Sequence, residues 1–315
     1  MRESVFVSQN HEKWKGYESN QTLDPDSIAA SFIELSNDLS FAKTFYPRSR
    51  IIPYLNELTG RFYQRIYRNK KERKSRFITF WKIELPETMY ASRRQLLYAF
   101  LFFIVFCFIG ALSAANDPTF INLVLGNDYV NTTNENIAKG DPFHVYKSEG
   151  SLVMFLGIAL NNITVSFMTF VKGIFFTVGS VWSIFENGLM LGSFQYFFFS
   201  KGLGWSSVLV IWIHGTLEIA ALVVSGCAGI TLGNSLLFPG TYTRLESLRM
   251  GASKGLKMII GLVPIFITAA FLESFVTRHD HMPRPVSISI LAFSLLFILW
   301  YFVFYPAQLH RRKSF

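Results

Sequence analysis

A chain of 315 residues that is 50% hydrophobic, 17% aromatic and only 16% charged is too apolar for a disordered chain or an ordinary soluble protein. Its net charge of +9 sits largely beside apolar runs. That pattern suits topology signalling and anionic lipid, and with no recognition motif beside it nucleic acid is not an expected partner. Cys107 and Cys227 both fall in apolar runs, which argues against a disulfide framework or a thiolate metal site.

Residues 1–92 read as a cytoplasmic helical domain with a juxtamembrane end. Val5, Phe6, Trp14 and Tyr17 mark a first helix. Asp24-Pro25-Asp26 is a helix start, and Ile28, Phe32, Leu35, Leu39, Ala42 and Phe45 follow at the spacing of one apolar face. Pro47 ends that helix, and Ile52, Leu55, Leu58, Phe62 and Ile66 form the stripe of a third. The basic run Lys70 to Arg76, followed by Phe77, Phe80 and Trp81, suits either a headgroup-level helix or a solvated linker. The N-terminus is polar, so the run from Leu96 is expected to act as an uncleaved anchor.

Residues 93–315 predict an all-α polytopic bundle of about six transmembrane helices: 95–115, 151–171, 174–199, 205–235, 257–276 and 286–306. Arg93, Arg94, Arg244, Arg249, Lys254, Lys257, Arg311, Arg312 and Lys313 fall on one side if both termini are cytoplasmic, which places the protein in the cell membrane as a multi-pass chain. The turn at Lys172 is very short and implies a tight hairpin. The loop 116–150 is the sizeable extracytoplasmic segment. Asp117-Pro118 starts a short helix there bearing Phe120, Val124 and Leu125, and Asn131-Thr132-Thr133 matches a glycosylation acceptor. As a whole the loop is either a partner-docking site or a connector.

Four ionisable groups interrupt the apolar runs. His214 and Glu218 lie one turn apart on one helix face, with Glu186 in the preceding run and Glu273 in the following one. A charged side chain at a helix centre costs roughly 2.5–3.5 kcal/mol on insertion scales, so such residues usually face a bundle interior. Asn161, Asn162 and Asn187 add amides. Gly188/Gly192 and Gly229/Gly233 have the small-xxx-small spacing that lets helices approach closely; the first pair, with Asn187, is expected to join spans three and four. His214 and Glu218 are expected to meet Asn161, Asn162 or Glu186 across the interior.

Asn161-Asn162, Glu186-Asn187-Gly188-Leu189-Met190-Leu191-Gly192 and His214-Gly215-Thr216-Leu217-Glu218-Ile219 occur in that order. They resemble the integral-membrane family named after stage II sporulation protein M, with its early Asn, its Asn-Gly-x-x-x-Gly element and its His-Gly-x-x-Glu element opening a later span. Phe6, Trp14 and Leu35-Ser36-Asn37-Asp38-Leu39-Ser40-Phe41-Ala42 resemble the N-terminal region of the longer prokaryotic members. The namesake belongs to a bacterial membrane complex with secreted-side peptidoglycan hydrolases, which it helps to localise. The resemblance therefore implies a non-enzymatic envelope scaffold; loop 116–150 would dock such partners, and the packing glycines permit a homo-oligomer. The compact sporulation form lacks the N-terminal domain, so sporulation itself is not carried over.

Two other functions compete. A transporter or ion-coupled permease would use His214, Glu218 and Glu186 as a proton or cation path. An intramembrane hydrolase would need a metal held by His214 and Glu218, or water activated by Glu186. The chain has no His-Glu-x-x-His motif and no convincing Ser-His arrangement. The expectation is therefore no enzyme, no cofactor and no metal.

Overall fold

A computed structural model describes residues 2–19, 25–68, 75–143, 150–277 and 282–313. Among these residues every regular element is a helix. The chain divides into two compact units at Ile78/Thr79. This boundary lies ahead of the one expected from sequence, at 92. The structure assigns 79–92 to the second unit because Leu85 and Met89 are fully buried in that unit's core.

The first unit holds α1 (Glu3–Ser19), α2 (Pro25–Phe45) and α3 (Ile51–Arg68). Phe6 and Trp14 pack with Leu35, Leu39 and Ala42 of α2 and with Leu55, Leu58 and Phe62 of α3. The outer ends of the two predicted stripes, Phe45 and Ile66, are exposed. The buried Trp14 indole donates to Asp38 Oδ2 at 2.8 Å, and Lys13 pairs with the same carboxylate at 2.7 Å. Most of the basic run Lys70 to Arg76 lies outside the described residues; α4 (Ser75–Thr79) and a π-helical turn, Phe80–Glu84, follow it.

The second unit continues with α5 (Leu85–Ala91), α6 (Arg93–Asn116), α7 (Pro118–Leu125), α8 (Asn127–Ala138), α9 (Ser151–Val171), α10 (Val178–Ser200), α11 (Gly204–Leu237), α12 (Arg244–Phe271), α13 (Arg284–Leu299) and α14 (Tyr305–Lys313). π-Helical turns extend α12 through Leu272–Thr277 and join α13 to α14 through Trp300–Phe304. Among the described residues five helices are long and apolar enough to cross a membrane: Arg93–Asn116, Ser151–Ile174, Gly204–Leu237, Arg244–Thr277 and Arg284–Arg312. Helix α10, the third predicted span, is 23 residues long but less apolar, because Glu186, Asn187, Gln195 and several serines interrupt it. It packs along α6 within the same bundle. The fifth span begins earlier than predicted, because Thr243 and Glu246 form a reciprocal capping box that starts α12 at Arg244.

Helix α11 is the axis of the bundle. It packs against α6, α9, α10, α12 and α13, and Ala221 to Gly233 is an unbroken buried stretch. Its small residues Ser225, Gly226, Ala228 and Gly229 make that density possible. A Cβ on Gly229 would meet Ser180 Oγ at 2.0 Å, and one on Gly233 would meet Thr177 N at 2.3 Å. These glycines therefore seat the hairpin between α9 and α10, where Phe176 and Thr177 take positive φ (52° and 70°). The Gly188/Gly192 pair corrects an expectation: these glycines face Phe106 and Cys107 of α6, so they join α10 to α6 rather than to α11. Outward side chains such as Phe100, Ile104 and Phe108 on α6 and Phe293 and Leu296 on α13 are exposed and apolar, as a lipid environment requires.

Candidate functional site

One polar cluster is buried inside this apolar bundle. Helix α11 supplies His214 and Glu218 on one face. The π turn that prolongs α12 supplies Glu273 and Thr277, and α9 supplies Asn162. His214 is 3% exposed, and both of its ring nitrogens face the π turn: Nδ1 lies 3.0 Å from Thr277 Oγ1 and Nε2 lies 3.8 Å from Glu273 Oε1. Asn162 donates its amide to Glu218 Oε1. One ligand-type atom each from His214, Glu218 and Glu273 can be chosen so that all three lie within 4.8 Å of one another.

The backbone explains the convergence. A π turn widens the helix, and such turns recur at functional sites because they re-aim side chains. Here the turn brings Glu273 and Thr277, four residues apart, onto a single imidazole. The fully buried Ser274 lies between them in sequence, and its hydroxyl has no hydrogen-bond partner among the described residues.

Electrostatics makes the cluster demanding. Two ionised carboxylates with oxygens within 4.8 Å of each other repel by about 3 kcal/mol or more even at an effective dielectric constant of about 20. Among the described residues, neither Glu218 nor Glu273 pairs with a Lys or Arg. Such a pair calls for a shared positive charge, a proton or a metal ion. The order Thr277 hydroxyl, His214 imidazole, Glu273 carboxylate has the connectivity of a nucleophile, base and orienting acid. The 3.8 Å imidazole–carboxylate separation is too long for a hydrogen bond, and Thr277 is 3% exposed, so that arrangement is not poised for attack.

The structure brings together four of the residues singled out by sequence: Asn162, His214, Glu218 and Glu273. Three others lie elsewhere. Asn161 is exposed on α9. Glu186 is exposed on α10, where Trp182 Nε1 donates to it at 2.8 Å, so it is not an interior partner of His214 or Glu218. Asn187 bonds back to the Ser183 carbonyl of its own helix at 2.8 Å. Sequence reasoning missed Thr277. Its one local signal was a hydroxyl four residues after a carboxylate near the end of an apolar run.

Residues 99–278 match the family described as Stage II sporulation protein M, SpoIIM. The chain belongs to that family. The matched stretch runs from α6 past the π turn and so contains every residue of the cluster. Membership of SpoIIM and the five apolar helices make this a multi-pass membrane protein. Residues 4–68, the α1–α3 unit, match a second family, described as a Domain of unknown function (DUF8413). An uncharacterized protein of Methanocaldococcus jannaschii, MJ0706, is 28% identical over 138 residues, covering 41% of this chain and 58% of the relative. The chain thus spans less than two thirds of that relative's length. No solved structure matches the chain.

Proposed function

We propose that this SpoIIM protein is a non-enzymatic membrane scaffold that holds an envelope partner on the face of the bundle formed by α7 and α8. The observation that supports this is that segment 117–143 folds onto the bundle instead of trailing from it. Ile121, Val130 and Phe143 share a core with Ala114 of α6, Phe197 and Phe198 of α10 and Ile211 of α11. Asp117 caps α7 by accepting from Thr119 N at 2.8 Å. On that platform Leu123 is 80% exposed, an apolar side chain that a bound partner would cover. On this reading both termini are cytoplasmic and the platform faces outward, following the arginine and lysine distribution. Peptidoglycan hydrolases are the partner class that the namesake suggests.

The test is mild-detergent affinity purification of the full-length protein from native membranes, comparing wild type with Leu123→Asp. A stoichiometric envelope protein that is lost from Leu123→Asp, while the variant stays monodisperse, supports the reading. Recovery of the same partner with the variant, or of no envelope protein with wild type, refutes it. Cation transport is a second reading, favoured by the carboxylates and imidazole inside the bundle. It requires cation flux in proteoliposomes that Glu218→Gln abolishes.

A further inference from the structure

We infer that His214, Glu218 and Glu273 form a binding site for one divalent first-row transition-metal ion of the zinc or manganese type, inside the bundle between α11 and the π turn of α12.

The donor set is one imidazole nitrogen and two carboxylate oxygens, a mixture that suits zinc, iron or manganese better than calcium or magnesium, which favour oxygen alone. The geometry is close to that of a loaded site. Ligand atoms at about 2.0–2.2 Å from a tetrahedral ion lie ~3.5 Å from one another. Here the three candidate atoms lie within 4.8 Å of one another, and His214 Nε2 and Glu273 Oε1 are already 3.8 Å apart. Side-chain adjustments on the order of 1 Å bring the three donors to that spacing, with a fourth position left for water.

The partners around these atoms carry the argument further. A metal-binding imidazole uses one nitrogen for the ion and donates from the other to a fixed acceptor, which sets its tautomer and orientation. Thr277 Oγ1 stands 3.0 Å from Nδ1, and this turns Nε2 toward Glu273. A metal-binding carboxylate is itself held by a donor, and Asn162 from a third helix holds Glu218. The ion would supply the positive charge that two carboxylates in this apolar interior lack, since no Lys or Arg pairs with either among the described residues. Through its ligands it would tie α11 to the end of α12 and, through Asn162, to α9. This site does not depend on the scaffold reading, because it involves neither α7 nor α8.

The experiment uses full-length protein in detergent, stripped with a chelator and titrated with Co²⁺, then with Zn²⁺ as competitor. The expected result is one Co²⁺ per chain, with visible bands of a low-coordinate site that Zn²⁺ bleaches. The triple variant His214→Ala/Glu218→Gln/Glu273→Gln is expected to lose the bands. Thr277→Val, which keeps all three ligands, is expected to weaken binding about 10- to 100-fold and alter the spectrum. A companion measurement needs no variant: Zn²⁺ raises the melting temperature of the stripped wild type. His279 and His281 lie close by in sequence, outside the described residues, so His279→Ala/His281→Ala is the control and is expected to keep the bands. Uptake that is equal in wild type and a folded triple variant overturns the site. So does a stripped wild type that binds neither metal and is not stabilised by Zn²⁺.

Discussion

Replacing Gly192 with Ala tests whether the α6–α10 contact is as close as the structure has it. A Cβ at Gly192 would lie 1.9 Å from the Cys107 carbonyl oxygen, 2.8 Å from its carbon and 2.9 Å from Ala111 N. All three are backbone atoms, so no side chain can swing away. Restoring ordinary contact at 3.4 Å requires the two helices to part locally by about 1.5 Å. The same interface depends on Gly110, whose Cβ would meet the Leu189 carbonyl oxygen at 2.4 Å, and on the Ser193 hydroxyl, which donates to the Gly110 carbonyl at 3.3 Å. A gap of 0.5–1 Å already forfeits roughly a quarter to a half of a dispersion well, and overpacking costs about 1–3 kcal/mol. Backbone-on-backbone contact puts Gly192→Ala toward the upper end, about 2–3 kcal/mol, equivalent to a melting temperature lower by about 3–5 °C in a chain of this size. The assay is thermal stability in detergent by fluorescence-detected size exclusion. Gly157→Ala on α9, where nothing lies within 4 Å of a Cβ, is the control and is expected to stay close to wild type. If Gly192→Ala melts with wild type, the helices are not in backbone contact and the reasoning fails.

Two further predictions concern regions outside the bundle. Asp38→Ala removes the acceptor of the fully buried Trp14 indole and the partner of Lys13. Leaving that donor unmet is expected to destabilise the α1–α3 unit by about 1–3 kcal/mol, read as faster amide exchange in α1 and α2 of the full chain; exchange no faster than wild type would show that the bond contributes nothing. The second is a pH dependence. Hydrogen bonds from the Thr119 hydroxyl and backbone amide hold the Asp117 carboxyl below its ordinary value of 3.8. A carboxyl whose folded value is depressed stabilises the fold above its unfolded value, and that contribution is lost as pH falls through the folded value. Amide protection in the first turn of α7 is therefore expected to be flat above about pH 4 and to fall in more acid solution. Asp117→Asn should remove that dependence while keeping the cap, so an unchanged acid response in the variant would assign the effect to another group.

Much of this architecture was legible in the residues because it is local. The spacing of Leu35, Leu39 and Ala42, and of Leu55, Leu58 and Phe62, obeys the 3.6-residue period of a single helix, and all six side chains are buried. Asp117-Pro118 starts α7 because a cap acts within a few residues. The long apolar runs identify spans because every backbone group in a bilayer must be satisfied within its own helix. Run length and composition also reach a limit at α10, where polar residues leave a bundle helix below the apolarity of its neighbours.

Spacing alone puts His214 and Glu218 on one helix face, since four residues nearly close one turn. The sequence shows that Glu186 and Glu273 interrupt apolar runs, but not which of them turns inward. The folded bundle answers this: Glu186 points out from α10 toward Trp182, while a π turn aims Glu273 at an imidazole 59 residues earlier in the chain. Packing likewise pairs Gly188 and Gly192 with α6, and lays segment 117–143 onto the bundle. The physical reason is the same in each case. Periodicity defines the face of a helix, whereas the partner of that face depends on which other surfaces compete to bury it, and that competition is settled by the packing of the whole bundle.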